Sequence, residues 1–314
     1  MSRGLNRAIV AFISMFVLAV CAQAQDGEIH FWPVHGNVYM VVGAGANITI
    51  SVGKDGVLMV DSGTAQASDK VIAAIQQFTH QRDPLGPELP VRYIINTSID
   101  ADHTGGNAKI AASSIFKPLE GGEKIIAHDN VLLRMQDAGK EFPENAQPTD
   151  AYQTEQYKLN RFFNGEGVQV IHMPAAHTDG DSVVWFRFSD VISTGDIFTD
   201  HYPIIDLQRG GSIQGTIEAL NRIIDLVYPE FRVQGGTMLI PGHGRLSDLT
   251  DIAYYRDMVT IVRDRVQDMI KNGKTLEQVQ TAKLTVDFDP VYGRTPGSAQ
   301  RFVEQVYRSL SEKR

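Results

Sequence analysis

Residues 96–107 read NTSIDADHTGGN and follow directly on an apolar, strand-like run, Val91 to Ile95. Asp100, Asp102 and His103 fall within four positions of that loop. Carboxylates and neutral imidazoles are what a divalent metal such as zinc binds, and a catalytic site needs at least three of them with one position left for water. Taken singly, an Asp after a strand is ordinary turn chemistry. Recurrence changes that reading. PAAHTDGD from Pro174, STGDIF from Ser193 and PGHG from Pro241 each follow another strand-like run, and they add His177, Asp196 and His243. Loops leaving one edge of a sheet can converge on a point, so six residues become candidate metal ligands: Asp100, Asp102, His103, His177, Asp196 and His243.

Around these loops the chain alternates. Residues 37–42, 47–52 and 56–60 read as short β segments separated by glycine turns, as in two successive hairpins. Ser68 opens an amphipathic helix through Val71, Ile75 and Phe78, ended by a proline-bearing loop from Asp83 to Pro90. Further strands are expected at 124–127, 168–172, 182–188, 191–193 and 237–240, and helices at 213–227 and 251–271. Asn272-Gly273 ends the latter, Thr275 with Gln278 forms a capping box, and Ser298 begins a last helix with Phe302, Val306 and Leu310 inward. No repeat or linker divides the chain, which reads as one α/β unit, residues 25–250, with a helical C-terminal extension, 251–314, packed on it.

Composition narrows the function. A 314-residue chain with 43% hydrophobic residues has a core large enough to fold without disulfides, so a metal here points to chemistry. Net charge is -8, the wrong sign for a phosphate backbone, which argues against nucleic acid as a partner. At the N-terminus Arg3 and Arg7 precede an apolar run, Ala8 to Val20, that ends in Ala22-Gln23-Ala24. That is the form of a cleavable export signal, residues 1–24, and the run is shorter than the roughly 20 residues of a membrane span. Cys21 as a lipidation site ranks second, because Val20 is bulky where such sites take small residues. Cleavage after Ala24 removes the only cysteine, together with Arg3 and Arg7, so the exported chain, periplasmic or secreted, has no thiolate ligand. Other motifs fail on spacing. Gly43-Ala44-Gly45 leads into a strand and lacks a third glycine, Asp268 stands where a phosphate loop ending at Lys274 needs glycine, and Gly211-Ser212 finds its next glycine one residue late for a nucleophile elbow.

The ordered pieces HTGGN, HTDGD, TGD and PGHG, with Asp61-Ser62-Gly63 after the third strand, resemble the metallo-β-lactamase superfamily from about His35 to His243. The resemblance implies a four-layer αββα sandwich with metals at one end of two facing sheets. It also implies an H-x-H-x-D-H loop, which this chain writes as Ser98-Ile99-Asp100-Ala101-Asp102-His103. The family's first metal site, three histidines, is therefore lost, because Ser98 and Asp100 replace two of them and only His177 remains. The ligands of the second site match: Asp102, His103 and His243, with Asp196 as the bridging residue.

Three readings follow. In the first, one zinc sits at Asp102, His103, Asp196 and His243. In the second, Asp100, His177 and Asp196 hold another metal, a carboxylate-rich site suited to iron or manganese. In the third, the protein binds ligand without catalysis. The first ranks slightly above the second and both above the third. The implied reaction is hydrolysis of a small-molecule carbonyl substrate, a β-lactam, lactone or other ester or amide, by a metal-bound hydroxide that Asp102 orients. His201 and Tyr202 are candidates to polarise the carbonyl, or equally a surface His and a packed Tyr, and Asp61 is a candidate to orient a ligand, or else a structural turn residue. His80, His128 and His172 read as structural, and His30 and His35 as N-terminal surface residues. Lys140 to Phe163 is either a pocket mouth or a solvated excursion.

Overall fold

Alternation along the strands sets the layers. The computed structural model describes residues 27–118, 124–159, 162–227 and 235–311, so the expected export signal lies outside the described residues. The first sheet contains β1 (His30–His35), β2 (Val38–Val42), β3 (Ile48–Gly53) and β4 (Gly56–Val60), followed after helix α1 (Ser68–Arg82) by β5 (Val91–Ile95). Two short helices, α2 (Ala101–Thr104) and α3 (Asn107–Ala111), lead to β6 (Ile125–His128), α4 (Asp129–Ala138) and β7 (Asp150–Tyr152). The seven strands pair in chain order, antiparallel from β1 to β4 and parallel from β4 to β7. The second sheet contains β8 (Gln156–Lys158), β9 (Val168–His172), β10 (Ser182–Phe186), β11 (Val191–Thr199) and, after α5 (Ile213–Val227), β12 (Met238–His243). Its last pair, β11 and β12, is parallel.

Because neighbouring side chains point to opposite faces of a strand, each sheet is apolar on both sides. Leu58 and Val60 of β4 join Val170, Val184, Phe186 and Ile240 in a core between the sheets. Val57 and Met59 face the other way, against Val71 and Ile75 of α1. On the second sheet Ile171, Val183 and Leu239 pack on Leu220 of α5, on Met258 and Val262 of α6 (Leu249–Lys271), and, beyond α7 (Leu276–Thr281) and α8 (Asp289–Tyr292), on Phe302 and Val306 of α9 (Ser298–Ser311). Two helical layers thus enclose two sheets, the αββα sandwich expected from the resemblance. No helix among the described residues is long and apolar enough to cross a membrane.

Several boundaries differ from expectation. Strand β11, expected to stop at Ser193, runs on to Thr199, so Asp196 lies inside a strand instead of a loop. Its register against β12 shifts on both sides of Gly195, whose φ is +52°, and this bulge turns Asp196 towards the site. His243 is likewise the last strand residue, paired with Thr199. His30 and His35 bound the edge strand β1, and the segment from Lys140 to Phe163 is no solvated excursion: it supplies β7 and β8, an edge strand of each sheet, and buries Phe163 in the central core.

Candidate metal centre

The site lies where the C-terminal ends of β4, β5, β11 and β12 meet. Backbone bonds tie the sheets there: Ser182 N donates to Thr97 O at 2.8 Å, and Asn47 N to Gly242 O at 2.8 Å. The HTGGN run is shaped by close approach. A Cβ on Gly106 would stand 2.3 Å from Ser62 O, so only glycine lets this loop pass beneath the turn at Asp61. Asn107 closes the arrangement, accepting from Ser62 Oγ at 2.8 Å and donating to Asn96 Oδ1 at 2.8 Å.

Asp61 is itself left-handed, with φ +63°, and almost wholly buried. Its Oδ1 accepts from Thr97 N at 2.8 Å, and its Oδ2 from Thr97 Oγ1 at 2.7 Å and His103 Nδ1 at 2.7 Å. With Nδ1 donating to a carboxylate, the His103 ring is held in one orientation, its Nε2 directed into the site. That is the arrangement by which a second carboxylate fixes a metal-binding histidine. Replacing Asp61 by Asn, which tolerates the left-handed backbone, is expected to weaken metal affinity roughly 10- to 100-fold with the fold retained. Competition titration of the metal beside a melting curve checks this; unchanged affinity would remove Asp61 from the role.

His103 Nε2 stands 3.1 Å from Asp196 Oδ1, yet both atoms are buried and neither has a hydrogen-bond partner. Two buried polar atoms that face each other without a hydrogen bond are costly unless something binds them. His243 Nε2 completes the group, 3.6 Å from Asp196 Oδ1 and 3.0 Å from Asp102 Oδ2. Ligand atoms around a tetrahedral ion with bonds of about 2.0–2.2 Å lie about 3.3 Å apart, and these spacings straddle that value. Gly242 makes room, since a Cβ there would meet Asp196 Oδ1 at 2.2 Å.

Charges respond accordingly. Burial alone would raise the Asp196 carboxyl, but the facing His103, then His243 and His177, hold it well below the usual carboxylate range. Burial would lower His103, and Asp196 and Asp61 on its two sides hold it well above. Asp102 is lowered by its contact with His243 against the opposing effect of burial.

The ligand atoms of Asp100, His177 and Asp196 also come within 4.8 Å of one another, so all six sequence candidates meet at one place. Here the spacing differs. His177 Nε2 and Asp100 Oδ2 are bonded directly at 2.7 Å, and the other Asp100 oxygen accepts from Arg209 Nη1 at 2.8 Å. His177 Nδ1 donates to Ile204 O at 2.7 Å. Sequence reading missed Arg209, because the run Asp206-Leu207-Gln208-Arg209-Gly210-Gly211 reads only as a turn.

Tyr202 does not face the site. It is buried, its hydroxyl donating to Asp289 Oδ1 at 2.7 Å, and it stacks on Phe302, so the expectation that it polarises a substrate is corrected. His201 stays beside the centre, its ring 5.5 Å from that of His243. His128 and His172 stack on each other away from the ligands, and His80 is exposed.

A cavity of about 500 Å³ opens next to His243, lined by Phe198, Tyr254, Phe288, Val291 and Tyr292, with Arg245 and Arg294 on its rim. Its size suits a small organic molecule.

Comparison with known proteins agrees with this architecture. A family model described as the metallo-beta-lactamase superfamily matches residues 32–243. Among solved structures, the DIM-1 metallo-beta-lactamase is similar with a TM-score of 0.56 at 14% identity, covering 74% of this chain and 98% of that one. VMB-1 has a TM-score of 0.55 at 16% identity, with 74% and 97% covered. A metallo-beta-lactamase from Pontibacter korlensis has 0.56 at 14%, with 74% and 99% covered. At such identities the likeness is one of fold. No curated protein matches the chain.

Proposed function

The chain belongs to the metallo-β-lactamase superfamily, and from that membership we propose that it is an exported metal-dependent hydrolase of a small carbonyl substrate, with one metal held by Asp102, His103, Asp196 and His243. The observation that carries the proposal is the pair of buried, unbonded atoms His103 Nε2 and Asp196 Oδ1, which face each other between His243 and Asp102. A zinc ion held by these four residues would lower the pKa of a bound water towards about 7 and polarise a carbonyl.

The residues of the chain divide the remaining work. Asp61 holds the His103 ring, and Asp196 lies between two imidazoles and supplies fixed negative charge. Asp102 is the more open carboxylate, its side chain 34% exposed against 12% for Asp196. It is therefore the group that accepts a hydrogen bond from the attacking water and orients it towards the substrate. The aromatic cavity beside His243 takes the apolar part of the substrate, and the charges of Arg245 and Arg294 there are balanced by Asp251 and Asp200. β-Lactams, lactones and aryl esters carry such an apolar part beside a carbonyl. Export rests on residues 1–24, whose charged start, apolar run and Ala22-Gln23-Ala24 end form a cleavable signal.

The test is metal analysis of the purified chain beside a hydrolysis panel of β-lactams, lactones and esters. Stoichiometric metal and turnover that both vanish in His243→Ala are expected. A parent chain without turnover across the panel, with or without metal, sinks the proposal.

A further inference from the structure

At the place of the superfamily's first metal, Asp100 contacts both His177 and a guanidinium. Both carboxylate oxygens of Asp100 are engaged, one by His177 Nε2 at 2.7 Å and the other by Arg209 Nη1 at 2.8 Å. At 2.7 Å the Asp100 and His177 atoms bond directly to each other, the shortest of the carboxylate–imidazole contacts among the six candidate ligands. The second ring nitrogen of His177 donates to Ile204 O, which fixes the ring with Nε2 turned towards Asp100. A metal entering here would have to break the Asp100–His177 pair and bind a carboxylate whose charge is already shared with a guanidinium.

The loop that carries Arg209 is built to hold it. Asp206 Oδ1 accepts from the backbone N–H of Gln208 and of Arg209, forming a tight turn, and Asp206 Oδ2 lies 3.6 Å from Arg209 Nε. Two backbone bonds strap this turn to the loop of His177: Asp206 N donates to His177 O at 2.9 Å, and Asp179 N to Arg209 O at 2.9 Å. Next to them Gly211 passes so close that a Cβ would stand 2.1 Å from His177 O. Asp179 in turn receives both arms of Arg134, at 2.9 and 2.5 Å. Arg209 is thus not a loose surface side chain swung in by chance; its backbone is tied on both sides to the segment that carries His177.

We propose that Arg209 is a built-in cation that takes the place of the first metal ion: through Asp100 and His177 it keeps that position closed, and the chain is restricted to a single metal. A guanidinium suits the task because it is permanently charged and its planar fork bonds carboxylates at fixed geometry. Arg209 is a positioning residue, acting through Asp100. The inference deepens the hydrolase reading, since it concerns the partner position of the same centre, but it stands or falls on a different quantity.

The experiment is zinc titration of the full chain, parent against Arg209→Ala, by calorimetry and native mass spectrometry. Arg209→Ala is expected to bind one more equivalent of zinc than the parent, and Arg209→Ala/Asp100→Ala to lose that gain. Arg209→Gln, which keeps the stem and removes the charge, gives the same readout if the alanine variant folds poorly. A parent that already binds two equivalents, or charge-removing variants that gain none, overturns the inference. Because the readout is a difference between variants, it holds whatever the parent hydrolyses: a parent without turnover would end the hydrolase reading, and a gain of one equivalent would still support the role of Arg209.

Discussion

Asp196→Asn is expected to abolish stoichiometric metal binding and to lower turnover on the order of a thousandfold, the scale on which loss of a single fixed charge group acts in an enzyme site. Asp196 lies against both imidazoles of the centre: its Oδ1 is 3.1 Å from His103 Nε2 and 3.6 Å from His243 Nε2. The amide is nearly isosteric, so packing against Gly242 and the bulge at Gly195 should survive, while loss of the buried pair with His103 should lower the melting temperature of the metal-free protein. What is lost is negative charge. Without it, two imidazoles face a neutral group, and a divalent ion loses its central anionic ligand. Metal content by mass spectrometry and kcat/KM on whichever panel substrate the parent hydrolyses would be read together. Full metal occupancy with unchanged kcat/KM would place the centre elsewhere.

Much of this was legible before the fold was known, for a physical reason. The layers follow from alternation: Val57 and Met59 turn to one side of β4, Leu58 and Val60 to the other, and a strand apolar at every position must be covered on both faces. The ligands were legible because they cluster in short runs at strand ends, where sheet geometry brings them together. Features set by long-range contacts were not. Tyr202 follows Asp196 closely and so looked like a site residue, but its partners Asp289 and Thr285 lie more than 80 positions on. Strand β11 looked three residues long because Thr194-Gly195 reads as a turn; pairing with β12 carries the strand through it. Arg209 was invisible for the same reason. Its meaning depends on Asp100, 109 positions away, and nothing local to residues 206–211 marks the arginine as other than a turn residue.

The stacked pair His128 and His172 gives the fold an acid limit separate from the metal. Their rings lie 3.5 Å apart and 8° from parallel. His128 is buried and pushed down to about 4, first by burial and then by the adjacent His172, with Asp129 and Asp179 opposing only in part. His172 is lowered too, by burial first, while its Nε2–H donates to Asp179 O at 2.9 Å. His128 Nδ1 accepts from Asn130 N and so caps α4 in its neutral form. In the unfolded chain the imidazole titrates near its ordinary value of about 6.5, so between that pH and 4 the unfolded state binds the extra proton and the folded state resists it. Stability is full above about 6.5 and falls as pH drops towards 4, by roughly 2–3 kcal/mol for this one group. His128→Asn should remove this loss, because an asparagine side chain can still cap the helix but does not titrate. Urea unfolding of metal-free parent and variant at pH 7.5 and pH 4.5 isolates the effect from protonation of the metal ligands, which both proteins share. The parent should lose more stability than the variant over that interval; equal losses would mean that the stacked pair does not control the acid limit.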